Sequence, residues 1–377
     1  MVLHRAIHAA RVGDLTALRE LAATDHLTPA ISDAQGAGLA HHAARCGRLD
    51  CLRFLVTEMG LAADERALNR ATPAHDAAAT GHVRELQWLV EQGGCDLEAQ
   101  DASGATALHL AVRFGCLAVV EWLLAAGGRL SALETNCGAV AAHYAAAKGD
   151  LACLELLLRH SPGCVNLQTR LGATPLYLAC QEGHLPVVEY LVRVGGASTH
   201  LRAHDGMSVL HAATHTGHHA LVVWLATYTD LSLCCQDREG ATALHFAASR
   251  GQRRLLETLL HLGSKVTRDY WGGTPLHDAA ENGELECCKV LLAGLADCSE
   301  RDIDGFTAAD LAEYNGHYDC ARYLRNVQAN RTLQMSSLLS RAARLSARRP
   351  GSCFRCRQSV CCCAAGRAAL HREPARR

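Results

Sequence analysis

Apolar positions recur along this chain in short bursts, each at a fixed distance from a glycine. In one stretch Val119, Val120, Trp122, Leu123 and Leu124 fall at helical spacing. Two periods later Val187, Val188, Tyr190, Leu191 and Val192 repeat the pattern. Before each burst lies a shorter segment of small residues, such as Ala77-Ala78, Ala145-Ala146, Ala247-Ala248 and Ala279-Ala280. Between the two sits the glycine. Gly13, Gly47, Gly81, Gly115, Gly149, Gly183, Gly217 and Gly251 are 34 residues apart, and the interval becomes 32 at Gly283 and 33 at Gly316. A period this regular means one structural unit copied many times. Such units bury by stacking what no single copy can bury, and together they offer a long surface for holding another molecule.

The polar positions say what each unit is. Nine residues before most of these glycines begins a Thr-Pro-Leu-His type segment. Its clear copies begin at Thr72, Thr106, Thr174, Thr242 and Thr274. Thr is placed as an N-cap, its hydroxyl accepting an early backbone N–H, and Pro after it suits the first helical position. The glycine ends this first helix in the left-handed conformation. A second helix carries the apolar burst, and a second glycine stop follows, as at Gly93-Gly94 and Gly195-Gly196. Turns such as Asp101-Ala102-Ser103-Gly104 and Asp237-Arg238-Glu239-Gly240 then lead into the next unit as tight hairpins.

Helix, turn, helix and hairpin in about 33 residues is the signature of the ankyrin repeat. The pattern predicts an all-α solenoid of about ten helix-turn-helix repeats over residues 2–327, with almost no strand and a disordered tail at 328–377. The units fall at 2–34, 35–68, 69–102, 103–136, 137–170, 171–204, 205–238, 239–270, 271–303 and 304–327. The first is degenerate, and the last replaces the His column with Asp310, as end-capping repeats require.

Composition changes this picture little. No run approaches the roughly 20 apolar residues of a membrane span, and the N-terminus shows no secretory signal, so a cytoplasmic location is expected. Most of the 19 Cys sit at Ala-like or Leu-like helix positions, for example Cys153, Cys180 and Cys320, and read as reduced core residues. Charge is more telling. Residues 331–377 hold eleven Arg against Glu373, a charge of +10; with −1 for the whole chain, residues 1–330 carry −11. An acidic solenoid argues against nucleic acid. It either favours a basic protein ligand or simply keeps the stack soluble.

A ligand would lie in the groove formed by the hairpin tips and the first helices. The positions just after the His column and just before the glycine point there. They give Arg45, Asp76, Arg113, Phe114, Tyr144, Lys148, Gln181, Glu182, His215, Arg250, Asp278, Glu281 and Asn282, with His42 and Thr80 beside them. Hairpin tips add Asp205, Arg238, Glu239, Tyr270, Trp271 and Asp304. The middle mixes signs; the far end is acidic beside two aromatics, the usual make-up of interface anchors. Trp271 could equally pack on its own hairpin. His75, His109, His143, His211, His245 and His277 form one column, one repeat or about 10 Å apart, too far to share a metal. Their rings are expected to bond neighbouring hairpin backbones. No phosphate loop, nucleophile elbow or zinc-protease motif is present, so no enzyme activity, cofactor or metal is expected.

Several stretches match more than the repeat scaffold. Trp271 to Cys288, Gly172 to His184, Ala141 to Asp150, Arg202 to Met207 and Ala71 to Ala78 resemble the ankyrin region of the espins, actin-bundling proteins of hair-cell stereocilia. Ser32 to Gly38, Leu221 to Trp224 and Ala308 to Tyr314 are similar to the espin-like branch of that family. The resemblance implies a groove that docks short basic motifs in the tail of class III myosins, which carry the protein as cargo to the tips of actin protrusions. It also implies that an internal segment can mask the groove. After about residue 330 the family's proline-rich and actin-bundling regions find no match, so bundling by this chain is not expected.

In the tail, Met335 to Leu345 could form a basic amphipathic helix. Cys353, Cys356 and Cys361 to Cys363 make a poor zinc site, a conceivable acylation site, or an end of no designed structure. Besides the motor-cargo role, two other readings stand at this stage. One is a substrate-presenting adaptor or scaffold for another cytosolic complex; the other is a scaffold tethered to membrane by the tail.

Overall fold

The computed structural model describes residues 2–347, apart from Asp25, Pro29, Ala30, Gly128 and Leu295. The chain divides into two compact units, residues 1–327 and 328–377. The first unit is a stack of ten helix pairs. Among the described residues there is no strand, only isolated bridges at Ser32–Gly38 and Arg301–Thr307.

The inner helices are Val2–Val12, Leu39–Arg45, Pro73–Thr80, Ala107–Phe114, Ala141–Lys148, Pro175–Glu182, Val209–His215, Ala243–Ser249, Pro275–Glu281 and Ala308–Tyr314. Successive inner helices pack on one another, and each as far as Pro275–Glu281 packs on its own outer partner. Their Ala residues make this possible: Ala77, Ala78, Ala111, Ala145, Ala146, Ala179, Ala247 and Ala279 are fully buried between neighbours. The outer helices bury Leu and Val in the same continuous core, for example Leu86, Leu89, Val120, Leu123, Leu154 and Leu157. Cys153, Cys180 and Cys320 are buried there too. Burial pushes the Cys153 thiol up to about 12, so it stays protonated and behaves as a small apolar group.

The N-caps depart from expectation in detail. At Thr174 the hydroxyl accepts the Tyr177 N–H, 3.1 Å away, as the sequence suggests. In the repeats carrying Thr or Ser before the column His, the imidazole adds the reciprocal half of a capping box. The Thr72 backbone N–H donates to His75 Nδ1 at 3.2 Å, and the Thr72 hydroxyl lies 2.8 Å from the same nitrogen. Thr106, Thr242 and Thr274 repeat the arrangement. The hydroxyl donates to the ring nitrogen and keeps its lone pairs turned to the helix N–H, so both halves of the box are present.

The other ring nitrogen joins one repeat to the next. His75 Nε2 lies 3.1 Å from the Ala105 carbonyl, His143 Nε2 3.1 Å from Ala173 and His211 Nε2 3.0 Å from Cys235. In His109, His245 and His277 that nitrogen is buried without a hydrogen bond of good geometry, so the expected bridge holds in only part of the column. Burial holds His109 and His211 down at about 4, which keeps both rings neutral.

The period glycine answers two demands. Gly183 has φ +80°, and a Cβ there would come within 2.4 Å of the His218 ring, whose Nε2 lies 3.0 Å from the Gln181 carbonyl. Hairpin tips are linked as well. Arg238 N–H donates to Asp205 C=O, Tyr270 to Glu239 and Ile303 to Trp271, each near 2.9–3.0 Å; the earlier tips follow the same rule.

The last outer helix, Tyr318–Ala347, runs 30 residues. Residues 328–347 are therefore helical, including the basic segment from Met335 to Leu345, and the expectation of a disordered tail beginning at 328 is corrected over that span. The cause is local: from Tyr318 to Ala347 no Gly or Pro interrupts a run of good helix formers. The Cys353 to Cys363 segment lies outside the described residues. No described helix is long and apolar enough to cross a membrane.

Candidate functional site

The inner helices and hairpin tips carry the positions that the repeat pattern aims into the groove. Their side chains fall into three settings.

At the N-terminal end the charges satisfy each other. Arg45 ends one inner helix, and its guanidinium bonds Asp76 Oδ1 in the next from both Nη2, at 2.9 Å, and Nε, at 3.2 Å. Desolvation raises the Asp76 carboxyl, and the Arg45 charge works against that rise. His42, fully buried beneath this pair, lies 3.2 Å from Asp33, and burial holds it down at about 4.

The centre holds a cavity of about 450 Å³ between the inner helices Ala141–Lys148 and Pro175–Glu182. Tyr144, Tyr177, Leu171, Leu178, Gln181 and Asp205 are among its lining residues. Repeat six contributes Tyr177 in place of the column His, and its hydroxyl reaches toward Met207 Sδ at 3.8 Å. The Tyr144 ring meets His109 edge-on at 5.7 Å. Leu171, 77 % exposed on its hairpin tip, forms the rim. Arg113 stands on one side, exposed, near Tyr144 and without an ion pair among the described residues, whereas the exposed Lys148 turns back over Gly115 beside Asp150. Arg113 lies over the exposed Phe114 ring, 6.0 Å from its centre. On the other side stand the exposed carboxylates of Glu182 and Asp205. Farther on, Arg250 Nη2 is 2.6 Å from His215 Nε2, which stays neutral, its pKa lowered by burial and by that guanidinium. Phe246 packs edge-on against His211 and His215 at 5.6 and 5.8 Å.

At the C-terminal end Asp269, Asp278 and Glu281 come together, and among the described residues Asp278 has no ion pair. Asp278 lies in the inner helix Pro275–Glu281. Asp269, in the preceding hairpin, is fixed by Trp271 N–H at 2.9 Å and Gly273 N–H at 2.7 Å. Desolvation, then the nearby charges of Asp269 and Glu281, push the Asp278 carboxyl up to about 8. Beside them Tyr270 and Trp271 are 67 % and 61 % exposed on the hairpin. Asn282 faces inward on its own helix, Nδ2 donating to the Asp278 carbonyl at 2.9 Å. Glu239 touches this end through its carbonyl, which accepts the Tyr270 N–H.

The predicted residues thus do not form one site. Tyr144, Gln181 and Asp205 share the central cavity; Asp278 and Glu281 share the acidic end beside Trp271; Arg45 and Asp76 occupy each other. Tyr177, Leu171, Phe246 and Asp269 were not foreseen. A Tyr in the His column and a leucine at a hairpin tip were the available signals for the first two.

The sequence profile described as Ankyrin repeats (3 copies) matches residues 58–134, 129–203, 194–270 and 262–334. The espin-like protein of Homo sapiens is 63% identical over 73 residues, 19% of this chain and 7% of that protein. Espin of Homo sapiens is 56% identical over 96 residues, 25% of this chain and 11% of that protein. Ankyrin repeat domain-containing protein 37 of Homo sapiens is 39% identical over 69 residues, 18% of this chain and 44% of that protein. The matched stretches span only a small part of the espins.

Proposed function

The chain belongs to the ankyrin-repeat family and is related to the espins through its repeats; from that premise we propose that its inner face docks a basic segment of a partner protein. The specific partner we propose is the tail of a class III myosin, as the espin resemblance implies. The chain would then travel as cargo and work with the actin cytoskeleton of protrusions such as stereocilia.

One observation carries this reading. Asp278 is raised to about 8 by burial and by two neighbouring carboxylates, in a place where no cation compensates it. A Lys or Arg brought there relieves the repulsion, and the exposed Tyr270 and Trp271 supply apolar area beside it. Binding of a cation favours the ionised form of Asp278, so at neutral pH the complex should release a proton.

Titration calorimetry of the full chain with a synthetic class III myosin tail peptide tests the proposal. Micromolar or tighter binding is expected, weakened at least tenfold by the double change Asp278→Lys and Glu281→Lys. The heat should also vary with buffer ionisation enthalpy. Absence of heat at high concentration would remove the motor-cargo role and leave an adaptor for another complex.

A further inference from the structure

The central cavity and the acidic end are three inner helices apart, about 30 Å at the usual spacing of packed helices, so a short ligand cannot fill both. The central cavity has its own chemical logic. Its floor and walls are mostly apolar or aromatic: Tyr144, Tyr177, Leu178 and the exposed Leu171. A volume of about 450 Å³ suits one large side chain.

The charges around it change sign across the opening. On the side of repeat four stands Arg113, close enough to Tyr144 for its charge to act on that hydroxyl and without an ion pair among the described residues. Tyr144 lies on the helix that forms one wall, and Lys148 at the end of that helix turns back over Gly115 beside Asp150. On the other side stand Glu182, which ends the helix forming the opposite wall, and Asp205 on the rim. Neither has an ion-pair partner among the described residues. Arg250, two repeats beyond, lies against His215 and breaks the acidic run only after this boundary. Unpaired charges of opposite sign on either side of an apolar hole select a ligand with the complementary order.

We propose that the central cavity is a separate docking subsite for a peptide with one large aromatic or aliphatic anchor, an acidic residue on one flank and a basic residue on the other. The anchor enters between Tyr144 and Tyr177. The acid faces Arg113, and the base faces Glu182 and Asp205. Arg113 is one helix before the Tyr144 wall and Asp205 one hairpin beyond the Tyr177 wall, each about 10 Å from the anchor, which an extended peptide covers in about three residues. The inference rests on the inner face being a binding surface, but not on the identity of the motor or on the acidic end.

The test uses the full chain carrying Asp278→Lys and Glu281→Lys, which removes the acidic end as a competing site for basic peptides, and fluorescein-labelled 12-residue peptides read by anisotropy. Two carry Trp with acids on one side and bases on the other, in both chain directions. A third carries Trp with bases on both sides, and a fourth replaces Trp by Gly in the acid–base pattern. One dipolar peptide should bind about tenfold or more tighter than the all-basic and Gly peptides. Leu171→Asp, at an exposed tip that the fold does not need, should cost about tenfold. Arg113→Glu should weaken the dipolar peptide and be rescued when the peptide's acids become Lys. An all-basic peptide that binds as tightly as either dipolar one, or a swap that restores nothing, overturns the inference. The Asp278 and Glu281 variants should leave the dipolar peptide unaffected, whereas they abolish the proposed docking of the myosin tail, so the two readings fail separately.

Discussion

Asp76 and Asp278 hold the same place in the repeat, directly after the column His, yet one is paired and the other is not. Asp76 receives Arg45 from the repeat before it. At the position corresponding to Arg45, the repeat before Asp278 has Ser249, and the neighbouring Arg250 turns to His215. Around Asp278 stand only Asp269 and Glu281. The contrast separates what the scaffold uses from what it leaves open. A half-buried carboxylate met by a guanidinium is part of the stack; one met by other acids is a standing demand for a cation from elsewhere.

Removing the open charge should have the largest effect. The folded-state pKa of Asp278, about 8, lies above its ordinary 3.8, so ionisation is disfavoured in the fold. Its contribution is full below about pH 4 and is lost as pH rises to about 8. Asp278→Asn should therefore stabilise repeat nine by roughly 2–4 kcal/mol at pH 8 and by almost nothing at pH 4. Amide exchange of the helix Pro275–Glu281 at the two pH values measures this; equal protection in variant and parent at pH 8 would refute the raised carboxyl.

A transplant sharpens the comparison. Ser249→Arg should give Asp278 the partner that Asp76 already has, lowering its pKa and adding about 1 kcal/mol at neutral pH. The same change should weaken binding of a basic peptide, because the cation is then supplied internally. Carbon-detected titration of the Asp278 carboxyl follows the first effect, and a pKa that stays near 8 would mean the two side chains do not meet.

The smallest effect is the reverse experiment. Arg45→Ala should push the Asp76 carboxyl further up and cost about 0.5–1 kcal/mol, since Arg45 is largely solvated and a screened pair contributes little. A melt of the full chain at pH 7 reports the loss, and no change would mean that solvent serves Asp76 as well as Arg45 does.

Much of the fold was legible because the repeat writes it many times. The glycine column marks helix ends, the Thr-Pro pair marks helix starts, and Asp-x-x-Gly marks hairpins; each is a local signal. The site was legible only as a set of positions. Nothing within one repeat says that Arg45 reaches across to Asp76 while Arg250 turns back to His215, because both choices depend on rotamers and on the side chain one repeat away. Asp269 escaped notice because its place in the hairpin looks purely structural, and two backbone N–H groups do hold it there; its charge matters to Asp278 through space. The role of His75 in capping its own Thr was hidden because the column His looks like a link to the next repeat, while one of its ring nitrogens turns back on Thr72.

The tip-to-tip hydrogen bonds have a mechanical side. Backbone links such as Tyr270 to Glu239 and Ile303 to Trp271 tie neighbouring hairpins, while the outer helices meet only through side chains. A stack built this way has one stiff edge and one compliant one. When it bends, the strain is taken up by the outer layer opening or closing, and the inner edge keeps its length. The intervals between groove positions then behave like marks on a steel tape, which can be flexed without changing the distances it records.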